Sequence, residues 1–410
     1  MDPYELRFAS PNPPWGNLTP AKPQPNPPNE LILLGAGASV AAGVPTARDM
    51  TVKLLNNLPP TVVELANFIV RRLLSHKVDA GEVDLGSQAT IDVEELVNAV
   101  LDLRDRDALE LAAFVESWDA RLARLDFAST RKSAAVDRLV GIIREEINPF
   151  LESGETREEN VRREEFTEGL HRVVLEVLSG QGRGQRLEEL YKLLIKALTS
   201  LVSIESSDNT AYLLPLFRPL RSQQSLVIAT LNYDNTVELA ADTAGIKCLL
   251  GLETWNERRE FGTPGGGLHL LKLHGSADWS QANENLERFM SENPVLLFGG
   301  RNKITAEGPF LDLLIAFGRA LEGADRLTAI GYSFRDAHVN EFIGKWRRRH
   351  PDREFRVVDP RPDYMWDTHA DLPDRWRRQR VFGTVEETTL WKVDLIPMTA
   401  EEALPALFGQ

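Results

Sequence analysis

The hydrophobic pattern of the chain changes character twice. An apolar run at 31–34 ends in Gly35-Ala36-Gly37, which predicts a fully buried strand followed by a tight turn. From about residue 50 to 220 the apolar residues recur with the period of an amphipathic helix. Beyond 220, short apolar runs separated by turns and helical stretches predict further buried strands, at 226–230, 268–273, 295–298, 327–330 and 355–358.

Short strands that alternate with helices predict a mostly parallel sheet covered on both faces, which the strand at 31–34 should join. We therefore expect an α/β fold, a Rossmann-like mostly parallel sheet with a large helical insertion domain. Residues 31-50 and 221-410 should form the sheet domain, and residues 51-220 the helical insertion domain. Within the insertion, Asp92 followed three residues later by Glu95 predicts a capping box at the start of a helix.

Residues 1-30 are rich in proline and form a predicted N-terminal arm. Proline at this density favours extended chain and opposes both helices and inner strands. The sequence leaves open whether the arm is disordered on its own or lies across a neighbouring subunit.

The amino-acid composition limits which partners we expect the protein to bind and indicates the cellular compartment. The 410 residues carry a formal net charge of −14, so we do not expect direct nucleic-acid binding. Cys248 is the only cysteine, and we therefore expect neither a disulfide framework nor a structural zinc. No apolar run reaches about 18 residues, which predicts a cytoplasmic protein without a membrane span.

Two basic runs, 347–349 and 375–380, contrast with the acidic whole. One interpretation makes them solvated helix ends whose arginine stems pack on Trp346 and Trp376. The alternative is a surface for a partner protein or a nucleic acid.

Candidate chemistry follows the predicted strands, because ligands of open parallel sheets bind beyond the carboxyl ends of the strands. After the first strand comes the segment Gly35-Ala36-Gly37-Ala38-Ser39. Its missing side chains would let backbone N–H groups and a helix N-terminus approach a pyrophosphate. A strand followed by Gly-x-Gly also has purely structural explanations.

Three later strand ends carry polar residues. In Thr230-Leu231-Asn232-Tyr233-Asp234 a buried strand ends in an amide and a carboxylate, with Asn232 facing a ligand and Asp234 serving either the site or a helix cap. His274 ends the next strand, and Gly275 after it would permit close approach of a ligand, although a structural histidine is the alternative. Gly331-Tyr332-Ser333 is the last such end, with an ordinary strand-to-helix turn as its alternative.

In this order the four segments resemble the sirtuin signature. Residues 35–39, continued by Gly43-Val44-Pro45 and Arg48, resemble the phosphate loop and the cofactor loop of that family. Residues 230–234 resemble its Thr-Gln-Asn-x-Asp segment, and His274-Gly275 resembles its catalytic His-Gly. Residues 331–333 resemble the Gly-Thr-Ser strand end that approaches the cofactor. The resemblance covers residues 31 to 50 and about 225 to 360.

The chain departs from the sirtuin deacylases at several points. It cannot build their four-cysteine zinc ribbon, Thr46 stands where they usually place Asp, and Leu231 replaces their Gln. The segments around His274 and Gly331 and the helical insertion are more similar to the sirtuin-like effectors of prokaryotic anti-phage defence. That resemblance implies NAD depletion in infected cells, oligomers, and a partner such as a HerA-type ATPase or a short Argonaute.

The resemblance also implies site roles. Asn232, His274 and Asp234 would be catalytic, with Asn232 bonded to ribose hydroxyls or to the attacking water and His274 accepting a proton. Phosphates would meet backbone N–H groups around Gly37 and Ala38, supported by Ser39 and Arg48. The remaining predicted cofactor contacts are Gly35, Ala36, Pro45, Thr230, Gly331, Ser333 and Asp359. Asp359 near the adenine ribose would prefer NAD over NADP, whereas its alternative is a turn residue before Pro360.

The predicted function is therefore that of an NAD glycohydrolase, which splits NAD into nicotinamide and ADP-ribose. A protein deacylase or ADP-ribosyltransferase would share the first half of this reaction, and a non-catalytic NAD or nucleotide sensor is the other alternative. We find no nucleophile elbow that would support Ser-His-Asp hydrolysis.

Overall fold

The computed structural model describes residues 29–79, 91–105, 181–204, 206–261, 265–291, 293–298, 308–362 and 393–409. The predicted arm, apart from its last two residues, and the basic run 375–380 lie outside the described residues.

Seven parallel strands form the main sheet, in the spatial order β3-β4-β2-β1-β7-β8-β9. The strands, including the antiparallel pair β5 and β6 outside this sheet, are β1 (Glu30–Leu34), β2 (Ser225–Thr230), β3 (Cys248–Leu249), β4 (Gly267–Lys272), β5 (Trp279–Ala282), β6 (Asn285–Arg288), β7 (Arg326–Ile330), β8 (Glu354–Val358) and β9 (Val393–Ile396).

Helices flank the sheet and occupy most of the described parts of the long connection between β1 and β2. They are α1 (Ala47–Asn57), α2 (Pro60–Asp79), α3 (Val93–Arg104), α4 (Gln181–Val202), α5 (Thr236–Thr243), α6 (Leu252–Arg258), α7 (Phe310–Gly323), α8 (Ala337–Arg349) and α9 (Ala400–Phe408), with 3₁₀-helical segments η1 (Ala36–Ala42) and η2 (Ser207–Arg221). In this part of the chain no helix is both long enough and apolar enough to span a bilayer.

Both faces of the sheet are covered, which explains why β1 is buried along its whole length. Successive side chains of a strand point to opposite faces. Leu31 and Leu33 therefore share a core with Phe317 of α7, whereas Ile32 and Leu34 share one with Phe217 of η2 and with α5 and α9. The predicted fold class, a mostly parallel sheet with a large helical insertion, is confirmed.

The helices α1 to α4 have an apolar core of their own, which includes Leu54, Leu96 and Leu194. The predicted capping box starts α3: Asp92 accepts from the Glu95 amide at 2.9 Å and Glu95 accepts from the Asp92 amide at 3.3 Å. This core is distinct in position from the two cores on the faces of the sheet.

One predicted strand is wrong. Residues 295–298 do not join the sheet but cross the loop after β4, where Leu296 forms an isolated antiparallel bridge with Gly275. The Leu297 amide donates to the His274 carbonyl at 2.9 Å, so this apolar segment is buried against a loop and not between strands.

Candidate functional site

Four strand ends line the carboxyl edge of the sheet. Because β4, β2, β1 and β7 are neighbours in that order, they bring His274, Asn232, Gly35 and Gly331 to one edge. The chain builds the sheet on one side of β1 and then on the other, so β1 marks the switch point at which open α/β sheets bind ligands.

The glycines after β1 and β7 pack against each other. A Cβ at Gly35 would lie 2.5 Å from the Gly331 carbonyl oxygen, and one at Gly37 would lie 2.8 Å from the Gly331 Cα. Gly331 itself adopts φ +60, and its own Cβ would lie 2.3 Å from the Ala38 nitrogen. Close contact between two backbones therefore accounts for this glycine pattern without a ligand.

The amides of the same loop are already engaged. Gly35 N donates to Ile330 O and Gly37 N to Gly331 O, both at 3.0 Å, and Ala38 N donates to Gly35 O at 2.9 Å. The Gly37 and Ala38 amides, which were predicted to contact phosphates, therefore donate to backbone carbonyls in this structure. Ala36 is exposed at the front of the loop.

Asn232 bridges the ends of β2 and β1. Its Nδ2 donates to Gly35 O and to Ser39 Oγ, both at 2.9 Å, and its backbone amide donates to Thr230 Oγ1 at 3.1 Å. Among the described residues no donor reaches Asn232 Oδ1, and the side chain is only half-buried. The amide oxygen is thus held in place and available to a hydroxyl or a water.

A chain of hydrogen bonds runs from the Asn232 side chain through Ser39 to Asp234. Asp234 accepts from Thr236 N at 3.1 Å and from Thr236 Oγ1 at 2.6 Å. Since the Thr236 hydroxyl donates to Asp234, the buried Ser39 hydroxyl donates to Thr236 at 3.5 Å and accepts from Asn232. Asp234 therefore ends a hydrogen-bond chain and accepts from the first residue of α5, and the Ser39 hydroxyl is bonded to Asn232 and Thr236 within the protein.

His274 lies between two carboxylates. Its Nε2 is 2.8 Å from Asp336 Oδ2, and its Nδ1 is 3.7 Å from Glu94 Oε1. The imidazole is buried, and its ring centre lies 6.2 Å from that of Tyr233. Nε2 is thus engaged by Asp336, while Nδ1 faces Glu94 and is buried.

Asp336 has two tasks. Its Oδ1 accepts from the amides of His338 and Val339, at 2.9 and 3.1 Å, and so caps α8, while its Oδ2 faces His274. The loop before it contains Phe334 at φ +55, a left-handed conformation that is uncommon for a bulky residue. Asn340 Nδ2 donates to the Phe334 carbonyl at 2.7 Å and stabilises this turn.

Gly275 has a structural explanation. It adopts φ +80, and a Cβ there would lie 2.0 Å from the Val295 carbonyl oxygen. The close approach at this glycine is made by the 295–298 segment, which corrects the expectation that a ligand makes it.

The other predicted contacts are spread along the same edge. Pro45 is buried before α1, while Arg48 is exposed in its first turn, with no ion pair to any described residue. Ser333 is half-buried. Asp359 Oδ1 accepts from the Arg361 amide at 2.8 Å, as in the turn interpretation, and its amide donates to Ile396 O at 3.2 Å.

Sequence reasoning missed three charged residues near the site. Asp336 follows the fourth strand end in a typical N-cap position, which could have identified it as a cap. Glu94 lies in the first turn of α3, more than a hundred positions before His274, and gave no local signal. Lys272 is fully buried, with its Nζ 2.8 Å from Glu238 Oε1 and 2.5 Å from Asp234 O.

The first basic run is buried at one end and exposed at the other. Arg347 is completely buried, and burial lowers its pKa to about 10. Arg348 pairs with Glu341 at 3.3 Å, and Arg349 pairs with Glu322. The prediction of solvated helix ends is wrong for Arg347.

A cavity of about 230 Å³ lies elsewhere, between α7 and the sheet. Asn29, Ser225 and His269 place it toward the amino ends of β1, β2 and β4. Ligands of parallel sheets bind at the opposite end, so this cavity is not the candidate site. Across the described ranges no group of three or more His, Cys, Asp or Glu is arranged to hold a metal ion.

Comparison with known proteins finds a similarity within the second half of the chain. A family model described as SIR2-like domain matches residues 226–382, which include Asn232, His274 and Asp336. No curated protein matches the chain. One similar solved structure is that of a mutant of Sir2 homologues in complex with 2'-O-acetyl ADP ribose, 12% identical, with a TM-score of 0.36, covering 93% of this chain and 90% of that chain. Residues 226–382 are thus similar to a SIR2-like domain.

Proposed function

We propose that this protein is an NAD glycohydrolase, which cleaves the bond between nicotinamide and ribose and releases nicotinamide and ADP-ribose. The observation that carries the proposal is the placement of Asn232 and His274 at the ends of two adjacent parallel strands, within the residues that match the SIR2-like model. An NAD-dependent reaction is what the SIR2-like match suggests for this domain.

The leaving group explains why so few residues suffice. Nicotinamide leaves a cationic precursor as a neutral molecule, so no general acid is needed and only the developing oxocarbenium-like charge must be stabilised. Carboxylates lie on both sides of His274, at Asp336 and Glu94, and their negative charge favours a cationic transition state nearby.

Asn232 and His274 then divide the work. Asn232 Oδ1 accepts a hydrogen bond from a ribose hydroxyl or from the attacking water and fixes its position. His274 accepts a proton from that water or hydroxyl, and Asp336 holds the imidazole by its other nitrogen. The exposed Arg48 is the candidate charge for the phosphates, and Ser333 and Asp359 remain the proposed contacts to the adenosine.

The proposed cellular role is depletion of NAD in anti-phage defence, by a cytoplasmic homo-oligomer with a partner such as a HerA-type ATPase or a short Argonaute. This role rests on the motif resemblance. If it is correct, NAD should fall during infection of cells that carry the wild-type chain and its neighbouring genes, and should persist with His274→Ala.

The direct test is nicotinamide release from NAD by purified protein, without any acylated peptide. We expect His274→Ala to lose about 10²- to 10⁴-fold in turnover, the usual cost of removing a positioned base. The matched control is His269→Ala, because His269 lies on the same strand with its Nε2 bonded to the Gly265 carbonyl at 2.8 Å, away from the edge. Circular dichroism should be unchanged in both variants.

Wild-type turnover in His274→Ala would refute the assignment. Release that requires an acylated peptide would favour the deacylase alternative. NAD binding in calorimetry with no nicotinamide release would favour the sensor.

A further inference from the structure

The helical insertion reaches the site through the first turn of α3. Glu94 in this turn accepts from the Tyr233 hydroxyl at 2.9 Å and lies 3.7 Å from His274 Nδ1. Asp92, the cap of the same helix, lies 3.5 Å from Arg335 Nη1 in the loop that carries Asp336. The first turn of α3 and its cap thus contact the loops after β2, β4 and β7.

The insertion and these loops also share one apolar core. Tyr233 and Ala277 come from the loops after β2 and β4, and Phe298 comes from the 295–298 segment that crosses the second loop; all three are buried in the core of α1 to α4. Val93 and Leu96 anchor the first turn of α3 in that same core. Because packed interiors resist small displacements, the position of Glu94 is tied to the packing of the whole insertion.

Tyr233 fixes the Glu94 carboxylate. Burial, and then the neighbouring Glu94 charge, raise the pKa of Tyr233 well above its ordinary value, so the phenol stays a donor throughout the physiological range. Its hydroxyl also lies 2.8 Å from the Leu297 carbonyl. Glu94 is therefore held at the Nδ1 side of His274 while Asp336 is held at the Nε2 side.

We propose that Glu94 is a positioning residue through which the helical insertion sets the orientation and the protonation of His274. This inference rests on the proposed function for its kinetic consequence, since it concerns the same histidine. A shift of α3 would withdraw one of the two carboxylates, so the insertion acts as a control element for the site.

Among the described residues, the charged and titratable groups that face His274 include Glu94 from α3, Asp336 from the loop before α8, and Tyr233 from the loop after β2. The test variant is Glu94→Gln, which keeps an acceptor for the Tyr233 hydroxyl and removes only the charge. The matched control is Asp102→Asn, which removes the same charge from an exposed position of the same helix.

Two readouts are expected to change in Glu94→Gln and not in Asp102→Asn. A carboxylate near an imidazole favours its protonated form, so the acid limb of the kcat/KM profile should move to lower pH by about one unit. The ¹⁵N shifts of the His274 ring, assigned with His274→Gln in fully labelled protein, should report the same change in protonation and tautomer without any need for turnover.

Equal pH profiles and equal ¹⁵N shifts in the two variants would overturn the proposal. If the wild-type protein releases no nicotinamide, the proposed function fails, and the ¹⁵N shifts alone decide the role of Glu94. A ¹⁵N change confined to Glu94→Gln would then still support the positioning role.

Discussion

Two buried polar pairs begin at the carboxyl end of β4, only two residues apart, and they differ in what surrounds them. Lys272 pairs with Glu238 of α5, behind the sheet, and also donates to the Asp234 carbonyl. His274 pairs with Asp336 in front of the strand ends, where Asn232 and Glu94 also lie. Both pairs are buried, but the His274 pair lies beyond the carboxyl ends of the strands, where parallel sheets bind ligands, whereas the Lys272 pair joins β4 to α5.

The difference separates a charged pair that stabilises the fold from a pair that can take part in a reaction. Lys272 binds two oxygens and joins β4 to α5, so its charge is compensated inside the protein. Asp336, the partner of His274, also caps helix α8, and a second carboxylate, that of Glu94, lies farther from the imidazole. A charge that is compensated within the core stabilises the fold, whereas a titratable group at the ligand-binding edge of the sheet can act on a ligand.

The largest effect is expected when the Lys272 pair is broken from one side. Glu238→Ala leaves an uncompensated ammonium in the interior and should lower the free energy of unfolding by about 3–5 kcal/mol. Urea denaturation at neutral pH measures this loss. The double variant Lys272→Met with Glu238→Leu should recover most of it, since it removes both charges. A loss below about 1 kcal/mol in the single variant would show that this pair is not structural.

An intermediate effect on stability, with a large effect on activity, is expected at the His274 pair. Asp336→Asn keeps a good cap for α8, so unfolding should change by less than about 1 kcal/mol. The new amide would donate to His274 Nε2 and select the wrong tautomer, which should lower NAD cleavage by about 10²- to 10⁴-fold. Parallel denaturation and nicotinamide assays separate the two effects. A stability loss as large as that of Glu238→Ala would erase the distinction between the pairs.

The smallest effect concerns Asp92, a third carboxylate with a weaker partner. Burial, and then the neighbouring Glu95 carboxylate, raise its pKa above the ordinary 3.8, so ionised Asp92 destabilises the fold at neutral pH. Asp92→Asn keeps the cap and should raise the free energy of unfolding at pH 7 by about 0.5 kcal/mol. The gain should shrink as the pH falls through the raised pKa of the folded state and vanish well below 3.8, where Asp92 is protonated in both the folded and the unfolded wild-type chain. Denaturation at both pH values measures it, and a loss at pH 7 would show that the Arg335 contact outweighs burial.

Much of the fold could be predicted because it depends on local patterns. The apolar runs gave β1, β2, β4, β7 and β8, and the Asp92 and Glu95 spacing gave the start of α3. The run at 295–298 misled, because a short apolar segment packs equally well against a loop. The glycines at 35, 37 and 331 marked a close approach correctly, but the partner proved to be the other loop.

The sequence by itself determined the type of sheet, the helical insertion and the two strand ends that carry Asn232 and His274, because periodicity and turn residues act over a few positions. Only the tertiary structure decided that Glu94 and Asp336 flank His274, that Ser39 and Asp234 serve Asn232, and that Lys272 is paired inside the core. Those contacts join residues tens to nearly two hundred positions apart. They form because neighbouring strands and a packed insertion bring distant segments to one edge, and no local pattern in the chain records that meeting.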